Sequence, residues 1–253
     1  MEETMKTLFI TGGNNGIGYY MILEWLRMGN CVSVIDLNCD NIEKLREAYP
    51  STLLCFKGDV TDLESVKTAV NGTRRQFGNI DYAIHNACLC LFKNFEEHSR
   101  EDFDRVMDTN FHGAINMTNM VLPIMKKQKR GKIIFTSSGV SVTGFIDLSS
   151  YASSKGAIES LAKCLNLEYA DSGVTFHLMH PPLTDTDSSS PLPIPKEFKA
   201  LPEKVGKGFI RNIDSKKMII TPSFKDTVSI KINYLFPITL GRLLVKLTKR
   251  QIQ

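Results

Sequence analysis

The sequence predicts an α/β fold in which a doubly wound, all-parallel sheet of about seven strands is covered by helices on both faces. Three observations carry this. Short β-branched or apolar runs alternate with longer helix-period segments from beginning to end. The strand runs are apolar throughout instead of alternating with polar residues, as in a sheet buried on both sides. The first run leads straight into a glycine-rich loop and then a helical pattern, the opening of a Rossmann-type dinucleotide-binding sheet.

In chain order, strands are expected at 7–11, 31–36, 53–57, 82–85, 132–137, 175–179 and 218–220, with helices near 16–28, 40–48, 62–77, 99–128 and 150–171. No Pro/Gly/Ser linker divides them. Residues 1–253 therefore read as a single domain, with a core of about 5–221 and an extension at 224–253. Residues 185–202 are rich in Ser and Pro and break the alternation just after the sixth strand. An insertion at a strand's carboxyl end lies where doubly wound sheets bind ligands, so it reads as a mobile substrate lid or, more plainly, as a solvated loop.

The loop after the first strand is Thr11-Gly12-Gly13-Asn14-Asn15-Gly16-Ile17-Gly18. Glycines there let the backbone turn tightly and approach a pyrophosphate, whose charge is favoured at the helix N-terminus; alone, the loop could equally be a plain turn. Asp36 ends the second strand about twenty residues on, followed by Leu37. A carboxylate there accepts hydrogen bonds from adenosine ribose hydroxyls and repels a 2′-phosphate. No Arg or Lys stands in the loop or at 37–38, so the expected cofactor is NAD and not NADP; as an isolated residue Asp36 could also cap a helix. Asp59-Val60 and Asn86-Ala87 follow the third and fourth strands, at the same sheet edge.

Tyr151 and Lys155 are four apart in a helical segment, so both project from one face. A phenol is a weak acid at neutral pH, but a neighbouring ammonium stabilises the phenolate and brings it toward the working range. Out of context the pair could be an exposed surface contact.

Together, TGGNNGIG, Asp59-Val60, His85-Asn86-Ala87-Cys88, Asn110, Ser138, Tyr151-x-x-x-Lys155 and the 181–186 stretch resemble the single-domain short-chain dehydrogenase/reductases over roughly residues 5–221. The resemblance implies a catalytic set of Asn110, Ser138, Tyr151 and Lys155. In it Ser138 holds the substrate oxygen, Tyr151 exchanges the proton, Lys155 also binds the nicotinamide ribose, and Asn110 links the lysine to solvent through a water. Ser137 adjoins Ser138, but successive strand residues face opposite ways, and the thirteen-residue spacing to Tyr151 selects Ser138. Cofactor contacts are implied for Gly12, Asn14, Asn15, Gly16, Ile17, Gly18, Asp36, Leu37, Asp59, Val60, Asn86, Ala87, Tyr151, Lys155, Pro181, Thr184 and Thr186. Two positions depart from the family: Cys88 and Pro182 stand where it has glycine, which implies an individually shaped site.

The 181–186 stretch, PPLTDT, is also similar to that of the 3-ketosphinganine reductases, which hints at a hydrophobic or long-chain alcohol/ketone substrate. Steroids and polyols stay open, as does the physiological direction. A member of another class, a non-catalytic dinucleotide sensor or scaffold, would keep the glycine loop and lose Tyr151 or Lys155. The family resemblance further implies a homodimer or homotetramer.

Composition narrows the partners. The net charge is +4, but residues 224–253 hold six Lys or Arg against one acid, so the rest of the chain is close to neutral at −1. A near-neutral body argues against nucleic acid, which requires a clustered basic face. The five histidines are scattered without ligand spacing, so no metal site is expected. Six cysteines show no CxxC pair and several sit in apolar runs, which reads as free thiols in a reducing, cytoplasmic setting; residues 1–6 carry no secretory pattern. In the extension, the ten-residue run INYLFPITLG contains Pro237 and is too short to span a bilayer. Beyond it, Leu243, Leu244 and Leu247 fall at helical spacing among Arg242, Lys246, Lys249 and Arg250. This is the pattern of a helix that contacts a membrane surface peripherally, packs on a partner subunit or closes the substrate pocket.

Overall fold

A computed structural model describes residues 5–192 and 194–252, with side chains described through 248; residues 1–4 of the N-terminal reading lie outside it. Seven strands form one all-parallel sheet in the order β3-β2-β1-β4-β5-β6-β7, with β1 Thr7–Thr11, β2 Cys31–Asp36, β3 Leu53–Lys57, β4 Tyr82–His85, β5 Gly131–Thr136, β6 Val174–Met179 and β7 Ile219–Ile220. The order reverses between β1 and β4, and the cleft at their carboxyl ends is where such sheets take ligands.

The helices are α1 Gly16–Arg27, α2 Asp40–Arg46, α3 Leu63–Phe77, α4 Arg100–Met107, α5 Gly113–Gln128, α6 Val140–Thr143, α7 Ser149–Glu168, α8 Pro202–Arg211, α9 Phe224–Leu235 and α10 Pro237–Ile252. Two cores follow from the period-two alternation of strand side chains. On one face Phe9, Ala83, Ile133 and Phe176 pack against Val66 of α3, Met117 of α5 and Ile158 of α7. On the other, Leu8, Ile10, Val32, Val34 and Ile134 meet Met21 and Trp25 of α1 and Phe209 of α8.

The structure revises the sequence reading in three places. The helix expected over 99–128 is broken: a π-helical turn, Asp108–His112, separates α4 from α5 and carries Asn110. Periodicity cannot register one extra residue per turn, and such turns gather at functional sites. Helices α6, α8 and α9 were not anticipated. In α8, Gly206 reads as a breaker, yet a Cβ there would stand 2.7 Å from Tyr20 Cβ and 2.9 Å from the Met21 amide, so the glycine admits close packing on α1. Finally, Cys39 and Cys55 are joined in a disulfide that ties the start of α2 to β3. That runs against the free-thiol reading for these two; Cys31, Cys88, Cys90 and Cys164 are free.

Candidate active site

A cavity of about 660 Å³ opens at the carboxyl ends of the strands, across the point where their order reverses. The glycine loop forms one end of it. Gly12 and Gly16 have φ of +70° and +58°, in the left-handed region that favours glycine, and bring the backbone back under the start of α1. Asn15 stands at the N-cap of α1 without a side-chain bond to the first-turn amides, its Oδ1 accepting instead from Asn41 Nδ2 at 2.8 Å, so those amides keep their donors for the cavity. The loop is fixed from behind: Asn86 Nδ2 donates to Gly12 O at 2.6 Å, and the amides of Asn86 and Ala87 donate to Thr11 Oγ1 at 3.2 Å each. Thr11 Oγ1 also meets His85 Nδ1 at 3.0 Å. Burial, and then the charge of Lys155, hold His85 near a pKa of about 3, so it is neutral and structural.

Asp36 lines the cavity from the end of β2, and its carboxylate accepts from the Asn14 amide at 2.9 Å and the Asn38 amide at 3.1 Å. These bonds aim the carboxylate across the glycine loop. Around the rest of the wall stand Asn15, Gly16, Ile17, Leu37, Asp59, Val60, Asn86, Ala87, Pro181, Thr184 and Thr186. Lys155 is the only cation among the described residues of that lining. Asn14 and Gly18 sit behind it. Asn14 Oδ1 accepts from the amides of Asn41 and Ile42, at 2.9 and 3.3 Å, and Gly18 packs where a Cβ would stand 2.2 Å from Gly12 O.

Ser138, Tyr151 and Lys155 converge on the floor of the same cavity. Lys155 is fully buried, its ammonium donates to Thr136 O at 2.8 Å, and it lies 5.6 Å from the centre of the Tyr151 ring. Burial pulls the Lys155 pKa down, with Cys88 and Cys90 acting the other way. For Tyr151 the direction is up: burial leads, the two thiols add to it, and the Ser138 hydroxyl against the phenol opposes it. In the protein alone the direction is thus set by desolvation at the cavity floor and is not the lowering expected from Lys155. Burial therefore favours the protonated phenol there. Ser137 and Ser138 lie just past the end of β5, with Ser138 in the cavity lining and Ser137 fully buried behind it.

Asn110 is brought to the site but does not line it. Its Oδ1 accepts from the Leu89 amide at 2.7 Å, and its Nδ2 donates to Leu89 O and to Ser154 Oγ, both at 2.9 Å. The side chain thus ties the loop that carries Cys88 and Cys90 to α7, a positioning arrangement. From the described residues after β6, Thr186, Ser188 and Leu192 line the cavity, and Lys199 Nζ donates to Ser189 O at 2.8 Å.

Sequence reasoning missed a buried polar cluster directly behind Ser138. Glu159 accepts from Ser137 Oγ at 2.8 Å, from Tyr234 Oη of α9 at 2.6 Å, and from Ser141 Oγ. His180 Nε2 lies 3.3 Å from the same carboxylate, and burial lowers its pKa to about 4. Glu159 follows Lys155 by one helical turn, so its alignment with the Tyr151/Lys155 face was available, but nothing in the sequence announced the Tyr234 partner. Through this cluster α9 is latched to the site, and Asp226, Ser229, Ile230 and Asn233 of α9 with Leu244 of α10 complete the cavity wall.

A nucleotide-sized cavity at a sheet switch point, with a glycine cradle, uncapped helix amides and a buried Tyr/Lys pair, defines a dinucleotide-binding oxidoreductase. The residues present fit a nicotinamide dinucleotide on these observations. The short chain dehydrogenase family model matches residues 6–195, and the chain belongs to that family. Among curated proteins it is 38% identical over 185 residues to the oxidoreductase UcpA of Salmonella typhimurium, covering 70% of this chain and 69% of that one. It is 29% identical to a 3alpha-hydroxysteroid dehydrogenase of Mediterraneibacter gnavus, over 74% of this chain and 77% of the relative. A similar 29% relates it to the 3-ketodihydrosphingosine reductase of Bos taurus, over 70% of this chain and 56% of that enzyme. A short-chain dehydrogenase structure from Streptomyces avermitilis superposes with a TM-score of 0.81 over 97% of this chain and 96% of its own, at 19% identity.

Proposed function

We propose that the protein is an NAD(H)-dependent oxidoreductase that interconverts a hydrophobic ketone and its alcohol. The observation that carries this is the convergence of Ser138, Tyr151 and Lys155 on one cavity floor whose other end is the glycine loop and Asp36. A bound nicotinamide supplies the hydride in reduction and accepts it in oxidation. In reduction Tyr151 gives its phenolic proton to the substrate oxygen as the C=O π bond becomes C–H and O–H. Ser138 donates to that oxygen while negative charge develops on it. Lys155, fixed by Thr136 O, then favours the phenolate that remains, and Tyr151 is reprotonated before the next turnover. Oxidation reverses these steps, and the protonated phenol is the form that reduction consumes.

Preference for NAD rests on Asp36 and on the lack of a cation beside it in the cavity lining: a 2′-phosphate would meet a carboxylate and no counter-charge. A hydrophobic substrate is supported by the outer cavity, where Phe92, Val140, Leu148, Leu192, Ile230 and Leu244 face the space. The steroid and sphingoid activities named for two relatives point the same way. Assembly as a homodimer or homotetramer is carried over from the family. The test is a turnover screen of ketones and alcohols of increasing chain length with NADH, NADPH and their oxidised forms. Activity that rises with chain length and is greater with NADH is expected; absence of turnover on every carbonyl and alcohol, with dinucleotide still bound, would favour a non-catalytic sensor.

A further inference from the structure

We propose that the α9–α10 pair seats the protein on an anionic lipid surface. The amphipathic sense of α9 is inverted. Its inward residues, Asp226, Ser229 and Asn233, face the cavity, and only Ile230 is a buried apolar residue of that helix. Its outward stripe is apolar: Phe224, Val228, Ile232 and Leu235 recur at helical spacing and are exposed, Phe224 by 83% and Leu235 by 70%. At the joint Phe236 and Ile238 continue that surface, and Leu243 and Leu247 extend it along α10. A contiguous exposed apolar surface of this kind marks an interaction site.

Charge selects the occupant. Lys225, Lys231, Arg242 and Lys246 are exposed on the same two helices, and none of them forms an ion pair among the described residues. The one acid of the pair, Asp226, is bonded to Ser223 and turned to the cavity. A second copy docking through this face by two-fold symmetry would set cation against cation with no carboxylate to answer. Anionic headgroups answer all four, and acyl chains accept the apolar stripe. Among the described residues no single helix is long and apolar enough to cross a membrane; α9 and α10 reach that length only as a pair bent by 114°, and the Tyr234–Glu159 bond and the places of Ile230 and Leu244 in the cavity wall hold that pair against the body, so it is set along the surface. Ile230 and Leu244 belong to both the pair and the cavity wall, which places the cavity beside the lipid.

The experiment is co-sedimentation of the full chain with phosphatidylcholine vesicles, with and without phosphatidylglycerol. Two variants accompany it: Phe224→Glu/Leu235→Glu/Ile238→Glu, and Lys225→Ala/Lys231→Ala/Arg242→Ala/Lys246→Ala. All seven positions lie outside the cavity lining, and a circular-dichroism melt verifies that each variant folds. Expected are binding of wild type to phosphatidylglycerol vesicles, weakening with salt, and a loss of roughly a thousandfold in partition on removing the four cations, at about 1 kcal/mol each. The apolar variant should lose partition at least tenfold. Wild type that stays in the supernatant, or variants that bind as wild type does, would overturn the proposal. So would a fall in molar mass by light scattering in the apolar variant without any vesicle binding by wild type, which would assign the face to a second copy.

Discussion

Glu159→Gln should loosen the α9 wall of the cavity while leaving Tyr151 and Lys155 in place. The carboxylate takes hydrogen bonds from Ser137, Ser141 and Tyr234, and Gln offers one acceptor oxygen and an amide that competes for the same hydroxyls. A hydrogen bond to a charged group contributes about 1.5–3 kcal/mol against about 1 for a neutral one. Three such bonds downgraded, with Tyr234 discounted for its partial exposure, come to about 2–3 kcal/mol. In a chain of this size that lowers Tm by roughly 5–10 °C. Thermal and urea denaturation measure it, and KM for long apolar substrates should rise more than kcat falls, because Ile230 and Asn233 ride on α9. Tyr234→Phe removes only one of the bonds and should cost about 1 kcal/mol, with a coupling to Glu159→Gln above about 0.5 kcal/mol in a double-mutant cycle. A Glu159→Gln stability within about 0.5 kcal/mol of wild type, or strict additivity with Tyr234→Phe, would refute the latch.

Asp36→Ala should weaken NADH binding by roughly ten- to a hundredfold, as one or two charged hydrogen bonds are lost, and narrow the gap to NADPH. Fluorescence titrations check it, and a wild type that prefers NADPH would contradict the role given to Asp36. Asn110→Ala should cost about 2–4 kcal/mol, since it leaves Leu89 N and O unpaired, and turnover should fall with the Cys88–Cys90 segment. Turnover of the stably folded variant equal to wild type would remove Asn110 from the positioning set. Stability should also fall in acid. His85 at about 3 and His180 at about 4 are held below their unfolded value of about 6.5, so the unfolded chain binds the extra protons. Their contribution is intact above pH ~6.5 and lost as pH falls toward their folded values, with about 2 kcal/mol gone for each by pH ~5. A Tm that stays flat from pH ~7.5 to ~5 would contradict this linkage.

The sheet was legible because buried parallel strands are apolar on both faces, and runs such as LFI at 8–10 and the 31–36 strand have few other readings. The cavity floor was legible for another reason: Ser138, Tyr151 and Lys155 lie within eighteen residues of one another, Ser138 just past the end of β5 and Tyr151 and Lys155 one turn apart on α7, so the motif is local in sequence. What escaped depends on contacts between distant segments. The Tyr234–Glu159 bond joins residues 75 apart, and the Gly206 contact with α1 is invisible until α8 is known to lie there. The sign of the Tyr151 shift escaped likewise, because spacing reveals the lysine but not the desolvation around it. For the extension, sequence gave an amphipathic pattern and three possible partners; the structure showed one helix face walling the cavity and the other left outside.

The most direct test of hydride transfer through this site is the Tyr151→Phe enzyme, assayed for NADH binding and for turnover on the best substrate of the screen. The ring still fills the cavity floor, so NADH should bind as in wild type. Turnover should fall by roughly 10²–10⁴-fold, the usual worth of a positioned acid/base. Retention of more than about a tenth of wild-type turnover, a loss far below that range, would show that the proton comes from elsewhere and that Tyr151 is not the acid of this reaction.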